Sequence, residues 1–266
     1  MGSRCTFETI LTEIINNHIL LVTFNRPKSS NAFNTIMSEE LTSLIEDLSM
    51  SSDNIRSIIL TGSGEKAFCA GGDLKERNGM SDDDWKKQHL VYERMIRALI
   101  GCPIPIIGAI NGAAYGGGCE IAAALDFVYV SENAKFALPE LGLGIIPGAG
   151  GTQTLSRAVG ERRAKELILT GRVFTAQEAV KWNLANDIFP VDKLLDETIK
   201  IAELISSKAP IAVKQAKQSI HKGLQMSLSD GLSFEIEAYN STIPTKDRIE
   251  GVLAFNEKRK PKFKGK

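Results

Sequence analysis

The sequence predicts an α/β fold that ends in an all-helical segment. Three observations carry this. Short β-branched runs alternate with stretches whose apolar residues recur at helical spacing. Glycine clusters stand between the two kinds of run, where the chain must turn sharply. Beyond about residue 194 the strand-like runs stop and only helical periodicity remains. The expected organisation is a core over residues 1–193 and a helical C-terminal subdomain over 194–266.

Taken in order, residues 7–14 and 18–24 read as strands around an Asn16-Asn17 turn, and 56–61 is a third short strand. Residues 35–48 carry Ile36, Leu41, Leu44, Ile45 and Leu48 at helical spacing. Residues 81–100 open with Ser81-Asp82-Asp83-Asp84, oxygens suited to the unpaired N–H groups and positive dipole end of a helix. A strand over 105–110 leads to the Gly116-Gly117-Gly118 turn, a short apolar helix and a strand over 127–130. Four helices are then expected, over 194–208, 211–224, 228–243 and 245–258, punctuated by Pro210, Gly223 and Pro244.

Composition excludes several classes. With 266 residues, 43% hydrophobic, the chain can bury a sizeable core and is not a disordered one. Lys+Arg and Asp+Glu both number 32, so no bulk charge draws it to nucleic acid or an anionic membrane. Cys5, Cys69, Cys102 and Cys119 fit neither a zinc pattern nor a disulfide framework, and His18, His89 and His221 are scattered, so no metal is expected. The uncharged stretch 101–119 contains six Gly and two Pro, which suits a buried strand and turn rather than a membrane span. No cationic region followed by an apolar core opens the chain. The expected location is cytoplasmic, of bacterial type, or the mitochondrial matrix had a transit peptide been removed. Met1-Gly2-Ser3-Arg4-Cys5-Thr6 matches a myristoylation pattern too short to carry an expectation of lipidation.

Four glycine motifs compete for attention. Gly62-Ser63-Gly64-Glu65-Lys66-Ala67 follows a strand as a dinucleotide fingerprint would, but Phe68-Cys69-Ala70-Gly71-Gly72 is no helix start. Pro147-Gly148-Ala149-Gly150-Gly151-Thr152 resembles a phosphate loop without the lysine. Ala70-Gly71-Gly72-Asp73-Leu74-Lys75 and Asn111-Gly112-Ala113-Ala114-Tyr115-Gly116-Gly117-Gly118-Cys119-Glu120 place small residues where backbone N–H groups can approach an anion. Glycines that merely permit helix–strand packing are the competing explanation.

Two carboxylates sharpen the choice. Glu120 lies about one helical turn beyond Gly117, among Cys119, Ile121, Ala122, Ala123, Ala124 and Leu125. Glu140 sits in similarly apolar company between Leu138-Pro139 and Leu141. Buried carboxylates are costly unless partnered or functional, so the pair suggests acid–base chemistry beside an enolate. Ion pairing to Arg157 or Arg163 is the structural alternative.

These motifs, with Asn25-Arg26-Pro27-Lys28, Asn31-Ala32 and Pro139-Glu140, resemble the crotonase, or enoyl-CoA hydratase/isomerase, superfamily over nearly the whole chain. The resemblance implies a spiral of repeated ββα units with a helical trimerisation region, assembled as a homotrimer or as a hexamer of two trimers. It implies oxyanion-hole N–H groups at Gly72 and Gly117, catalytic Glu120 and Glu140, and CoA contacts at Lys28, Ala70, Asp73, Leu74 and Lys75. Many relatives have Ala at the position of Gly72, and the main-chain donor survives that difference. Hydrating members keep both glutamates and several isomerases keep one, so the implied activity is hydration of a short or medium trans-2-enoyl-CoA. That reaction belongs to fatty-acid or branched-chain amino-acid breakdown and needs no cofactor beyond the substrate's own CoA.

The alternatives are an enoyl-CoA isomerase, a methylglutaconyl-CoA hydratase and a non-catalytic relative. The second is suggested by residues 68–77 and 242–248, with Arg77, Lys86, Lys87 and Arg94 as cations for a second carboxylate, although surface cations on an amphipathic helix are the more ordinary explanation. One branch of such hydratases also binds RNA through a lysine-rich helix near the position of 35–48. Here residues 29–55 hold no Lys or Arg, and Glu39, Glu40, Glu46, Asp47 and Asp53 would repel phosphates. The basic tail 258–266 resembles the family's C-terminal end, which often lies near the adenine of CoA.

Overall fold

The computed structural model describes residues 7–51 and 54–266, so the Met1–Thr6 motif lies outside the described residues. The chain opens with an antiparallel hairpin of β1 (Ile10–Ile15) and β2 (Ile19–Phe24). Its turn uses Asn16 and Asn17 at φ of 50° and 65°, a left-handed conformation that Asn tolerates better than most residues. Helix α1 (Thr35–Met50) starts at Asn34, whose side chain accepts the Met37 N–H. Strands β3 (Ser57–Gly62) and β4 (Ala67–Cys69) follow, then helices α2 (Leu74–Arg77) and α3 (Asp82–Gly101), the latter capped by Ser81 as its sequence implies.

The same unit then recurs. Strands β5 (Ile106–Ile110) and β6 (Ala113–Tyr115) lead into α4 (Gly117–Ala124). Strands β7 (Phe127–Ser131) and β8 (Lys135–Ala137) lead into α5 (Gly151–Val159) and α6 (Glu161–Thr170). In each unit the first strand joins a six-stranded sheet and the second a four-stranded sheet, so successive units wind as a spiral. The remaining elements of the sheets are β9 (Phe174–Thr175) and β10 (Asp187–Phe189), on either side of α7 (Ala176–Lys181). The large sheet runs β1-β2-β3-β5-β7-β10 and the small one β4-β6-β8-β9, with parallel pairing from β2 to β10 and from β4 to β8.

The sequence reading missed β4, β6, β8, β9 and β10. Strands of two or three residues are shorter than the run over which alternation becomes visible. Their side chains nonetheless close the core: Phe68, Phe136 and Phe174 are fully buried, and Phe136 stacks on Phe174 with centroids 5.3 Å apart. The main core fills the space between the sheets, α1, α3 and α4.

Among the described residues only helices follow β10: α8 (Leu194–Ser206), α9 (Pro210–Gly223), α10 (Leu228–Thr242) and α11 (Lys246–Asn256). Helix α8 covers the outer face of the large sheet, where Leu194 and Ala202 pack with Ile19, Leu21, Ile59 and Ile107. The tail folds back on the chain: the buried Asp247 carboxylate accepts the Lys264 and Gly265 N–H groups, and Arg56 Nη2 donates to the Phe263 carbonyl. No helix among the described residues is long and apolar enough to cross a membrane.

Candidate active site

The β4–α2 and β6–α4 junctions meet through their backbones. Gly71, at φ +93°, lies so close that an added Cβ would stand 2.8 Å from the Tyr115 carbonyl oxygen and 3.0 Å from the Gly117 nitrogen. Phe33 packs across both junctions, its N–H donating to the Gly71 carbonyl and its own carbonyl accepting the Asp73 N–H, both at 2.9 Å. Between these two bonds the Gly72 N–H has no acceptor among the described residues, and neither has the Gly117 N–H at the first turn of α4. Both glycines line one cavity of about 830 Å³, a size suited to a drug-sized or larger ligand.

The same cavity is lined by Glu120 and Glu140. Helix α4 carries Glu120 one turn in from its start, and the side chain is 3% exposed. Its Oε1 accepts the N–H groups of Ala149 at 2.8 Å and Gly151 at 2.7 Å, at the N-terminus of α5. The loop that resembles a phosphate cradle therefore does hold an oxygen acceptor, and that acceptor is this protein's own carboxyl group. Glu140 opens a 3-10 turn over Glu140–Leu143 and is also buried, with Oε2 lacking any partner among the described residues. Neither glutamate pairs with Arg157 or Arg163. Arg157 reaches Gln153 and Gln225, and Arg163 pairs with Glu166, which overturns the structural ion-pair explanation.

Burial pushes Glu120 up to about 7, and the nearby Glu140 charge adds to the rise, while the Gly151 and Ala149 N–H groups oppose it. Burial also raises Glu140 above its ordinary value, only partly offset by a hydrogen bond from its own backbone. Two buried carboxylates that line one cavity and both hold their protons more tightly than usual are equipped for acid–base chemistry.

The other residues singled out by sequence divide. Ala70 and Leu74 lie on the cavity wall. Asp73 is buried and committed elsewhere: its Oδ1 caps α2 through the Lys75 N–H, and its Oδ2 pairs with Arg26 at 2.8 Å. Burial would raise Asp73, but Arg26 and the Lys75 and Glu76 N–H groups hold it below its ordinary value. Lys28 and Lys75 are exposed and outside the cavity lining. Of the four cations considered for an acyl carboxylate, Arg94 pairs with Glu46 on the surface, whereas Lys86, Lys87 and Arg77 line the cavity. Arg77 is not on the surface of α3 at all: it ends α2 and is 8% exposed.

The dinucleotide-like run 62–67 is a turn between β3 and β4 with no helix after it, pinned by Asn111 Nδ2 to the Gly62 and Gly64 carbonyls. Sequence reasoning did not anticipate Ala149 and Gly151 as the donors that fix Glu120. The signal was present, since a glycine-rich run opening a helix is an anion site whichever anion fills it. Nor did it anticipate Tyr92 and His89 on the cavity wall, which are placed by tertiary packing of α3.

This fold and sequence have close counterparts. The family model described as enoyl-CoA hydratase/isomerase matches residues 14–266, and the chain belongs to that family. YngF of Bacillus subtilis is 47% identical over 258 residues, covering 97% of this chain and 99% of its own length. The short-chain-enoyl-CoA hydratase of Clostridium acetobutylicum is 42% identical over 242 residues, covering 91% of this chain and 92% of its own. Among solved structures, the enoyl-CoA hydratase from Bacillus anthracis superposes with a TM-score of 0.95 at 44% identity, over 97% of this chain and all of that one. The spiral of ββα units expected from the sequence is thus the fold of this family.

Proposed function

We propose that the protein adds water syn across the 2,3 double bond of a short or medium trans-2-enoyl-CoA to give a 3-hydroxyacyl-CoA. The observation that carries the reading is the convergence on one cavity of two buried carboxylates and two backbone N–H groups that have no acceptor among the described residues. The Gly72 and Gly117 N–H groups would receive the thioester oxygen and stabilise the charge that develops as the enolate forms. Glu120, held by two amides, would orient and deprotonate the water attacking C3. Glu140 would deliver a proton to C2. Every step is a proton transfer or an addition, so the CoA carried by the substrate is the only cofactor-like group required.

Relatives named as hydratases and the presence of both glutamates favour hydration over double-bond isomerisation, which several family members perform with one carboxylate. Ala70 and Leu74 on the wall support the substrate contacts assigned to that segment. The test is loss of the conjugated-thioester absorbance of crotonyl-CoA in the presence of the purified protein without added metal or nucleotide. Glu120→Gln and Glu140→Gln should each lower kcat by about 10²–10⁴ and leave CoA binding intact. No hydration over a panel of chain lengths, with CoA thioesters still bound, would move the assignment to isomerisation.

A further inference from the structure

The ring of Phe33 touches both glycines whose N–H groups have no acceptor among the described residues. Phe33 is 2% exposed, and a Cβ added to Gly117 would stand 2.5 Å from its Cζ and 2.6 Å from its Cε1. A Cβ added to Gly72 would stand 3.8 Å from its Cε2. The ring thus fills the space that a side chain on Gly117 would need, and its other edge rests on Gly72. It is held in turn by the buried Tyr92, which meets it edge to face at 85° with centroids 4.7 Å apart. The Phe33 backbone is fixed as well, because it forms a parallel bridge with Gly72 through bonds to the Gly71 carbonyl and the Asp73 N–H. In such a bridge the bracketed residue directs its own N–H away from the partner, which leaves the Gly72 donor free.

The two junctions are made of glycine and have little stiffness of their own. Their backbones meet at Gly71, where an added Cβ would lie 3.0 Å from the Gly117 nitrogen. A contact at one point lets two turns pivot about it. A rigid ring wedged between Gly72 and Gly117 removes that freedom. An oxyanion hole demands such a spacer, because both donors must lie about 2.7–3.1 Å from one developing oxygen, and a misplacement near 1 Å costs about 10²-fold in rate. Phe33 also lines the cavity, so a wall for the acyl chain is the competing role.

We infer that Phe33 is a positioning residue that sets the separation of the Gly72 and Gly117 N–H groups and so the polarisation of the thioester. This deepens the hydratase reading and rests on its placement of the thioester oxygen at those two donors.

The carbonyl stretch of butanoyl-CoA labelled with carbon-13 at the thioester carbon, followed by infrared difference spectroscopy, reports that polarisation without turnover. It would be measured with wild type, with Phe33→Val, which stops short of both glycines, and with Phe33→Leu, which restores apolar bulk between them. Phe174→Val is the control, since Phe174 is equally buried but packs on Phe136 and Trp182. Wild type should lower the band on binding. Phe33→Val should recover at least half of that lowering and reduce kcat for crotonyl-CoA by about 10²-fold, with butanoyl-CoA affinity within about threefold. Phe33→Leu should return both readouts most of the way to wild type, and Phe174→Val should lower the melting temperature without moving the band. If Phe33→Val does not fold, Phe33→Met, which conserves volume but offers no rigid edge, should give a band between those of wild type and free thioester. A band unchanged in the Phe33 variants, or moved equally by Phe174→Val, would overturn the inference. An unchanged band with an altered preference between butanoyl-CoA and hexanoyl-CoA would make Phe33 an acyl wall and overturn it too. A wild type that does not lower the band would overturn both this inference and the thioester placement beneath it, whereas a lowered band indifferent to Phe33 would sink this inference alone.

Discussion

Gly151 and Glu120 are in contact through a backbone N–H that donates to Oε1 at 2.7 Å, and the glycine leaves no room for anything larger. A Cβ on Gly151 would stand 2.8 Å from Glu120 Cγ and 2.9 Å from Oε1. The backbone there is not left-handed and the residue opens α5, so alanine suits the helix and offends only the glutamate. Gly151→Ala should therefore fold but push the carboxylate aside by a fraction of an ångström to an ångström. A loss of about 10²-fold in kcat with little change in KM is expected, the usual scale for such displacement of a reacting group. Steady-state kinetics with crotonyl-CoA checks it, and a kcat within twofold of wild type would mean that this contact does not set the position of Glu120.

The raised Glu120 also leaves a mark on stability. Its value rises from an ordinary 4.5 to about 7 in the folded protein, so between those limits the folded state holds a proton that the unfolded state has lost. Stability thus falls as pH climbs through this window, by roughly 3 kcal/mol if the full shift is realised. Glu120→Gln cannot titrate, and its carbonyl oxygen can still accept the Ala149 and Gly151 N–H groups. The melting temperature of the variant should gain on wild type as pH moves from 4.5 to 8. A gap that stays constant with pH, measured by thermal melts in matched buffers, would remove burial as the cause.

Adjacent glycines should respond in opposite ways. Gly71 is at φ +93° and wedged against the Tyr115 carbonyl and the Gly117 nitrogen. Gly72 has no left-handed requirement, and its added Cβ would meet Tyr92 at 3.4 Å, close to ordinary contact. Gly71→Ala combines backbone strain with a backbone clash and should cost about 2–4 kcal/mol. Gly72→Ala keeps the main-chain N–H and should stay within about 1 kcal/mol of wild type, with turnover within a few fold. Thermal melts and crotonyl-CoA assays on the two variants test both halves. Equal damage by the two substitutions would show that the junction is governed by something other than this geometry.

What could be read from the sequence was what chemistry makes local. Glu120 and Glu140 stood out because carboxylates in apolar runs are expensive, and the helix start at Ser81 because its side-chain oxygen suits unpaired N–H groups. What escaped was tertiary. The Arg26–Asp73 pair spans 47 positions, and nothing near Asp73 in the sequence marks its carboxylate as a cap and ion-pair partner. Arg77 looked like one more cation beside an amphipathic helix. Only the packing of Trp85, Gln88 and Tyr92 around it reveals that it is buried.

The C-terminal helices leave a surface that a single chain does not cover. On α10, Leu228, Leu232, Ile236 and Tyr239 fall on one stripe with exposures of 80, 56, 53 and 62%, and Ile243 just beyond the helix continues it at 42%. Val252, Leu253 and Phe255 on α11 add further exposed apolar area. A stripe at this spacing is how a helix presents itself to a partner, and its area would be costly to leave in water. The trimer or hexamer implied by the family resemblance would bury it. Light scattering at micromolar concentration should then give three or six chain masses. The double substitution Leu232→Lys with Ile236→Lys should shift the mass toward a single chain without unfolding α1 to α8, because neither side chain contributes to the core. A monomeric wild type, or a lysine variant that assembles normally, would show that this stripe is not the contact between subunits.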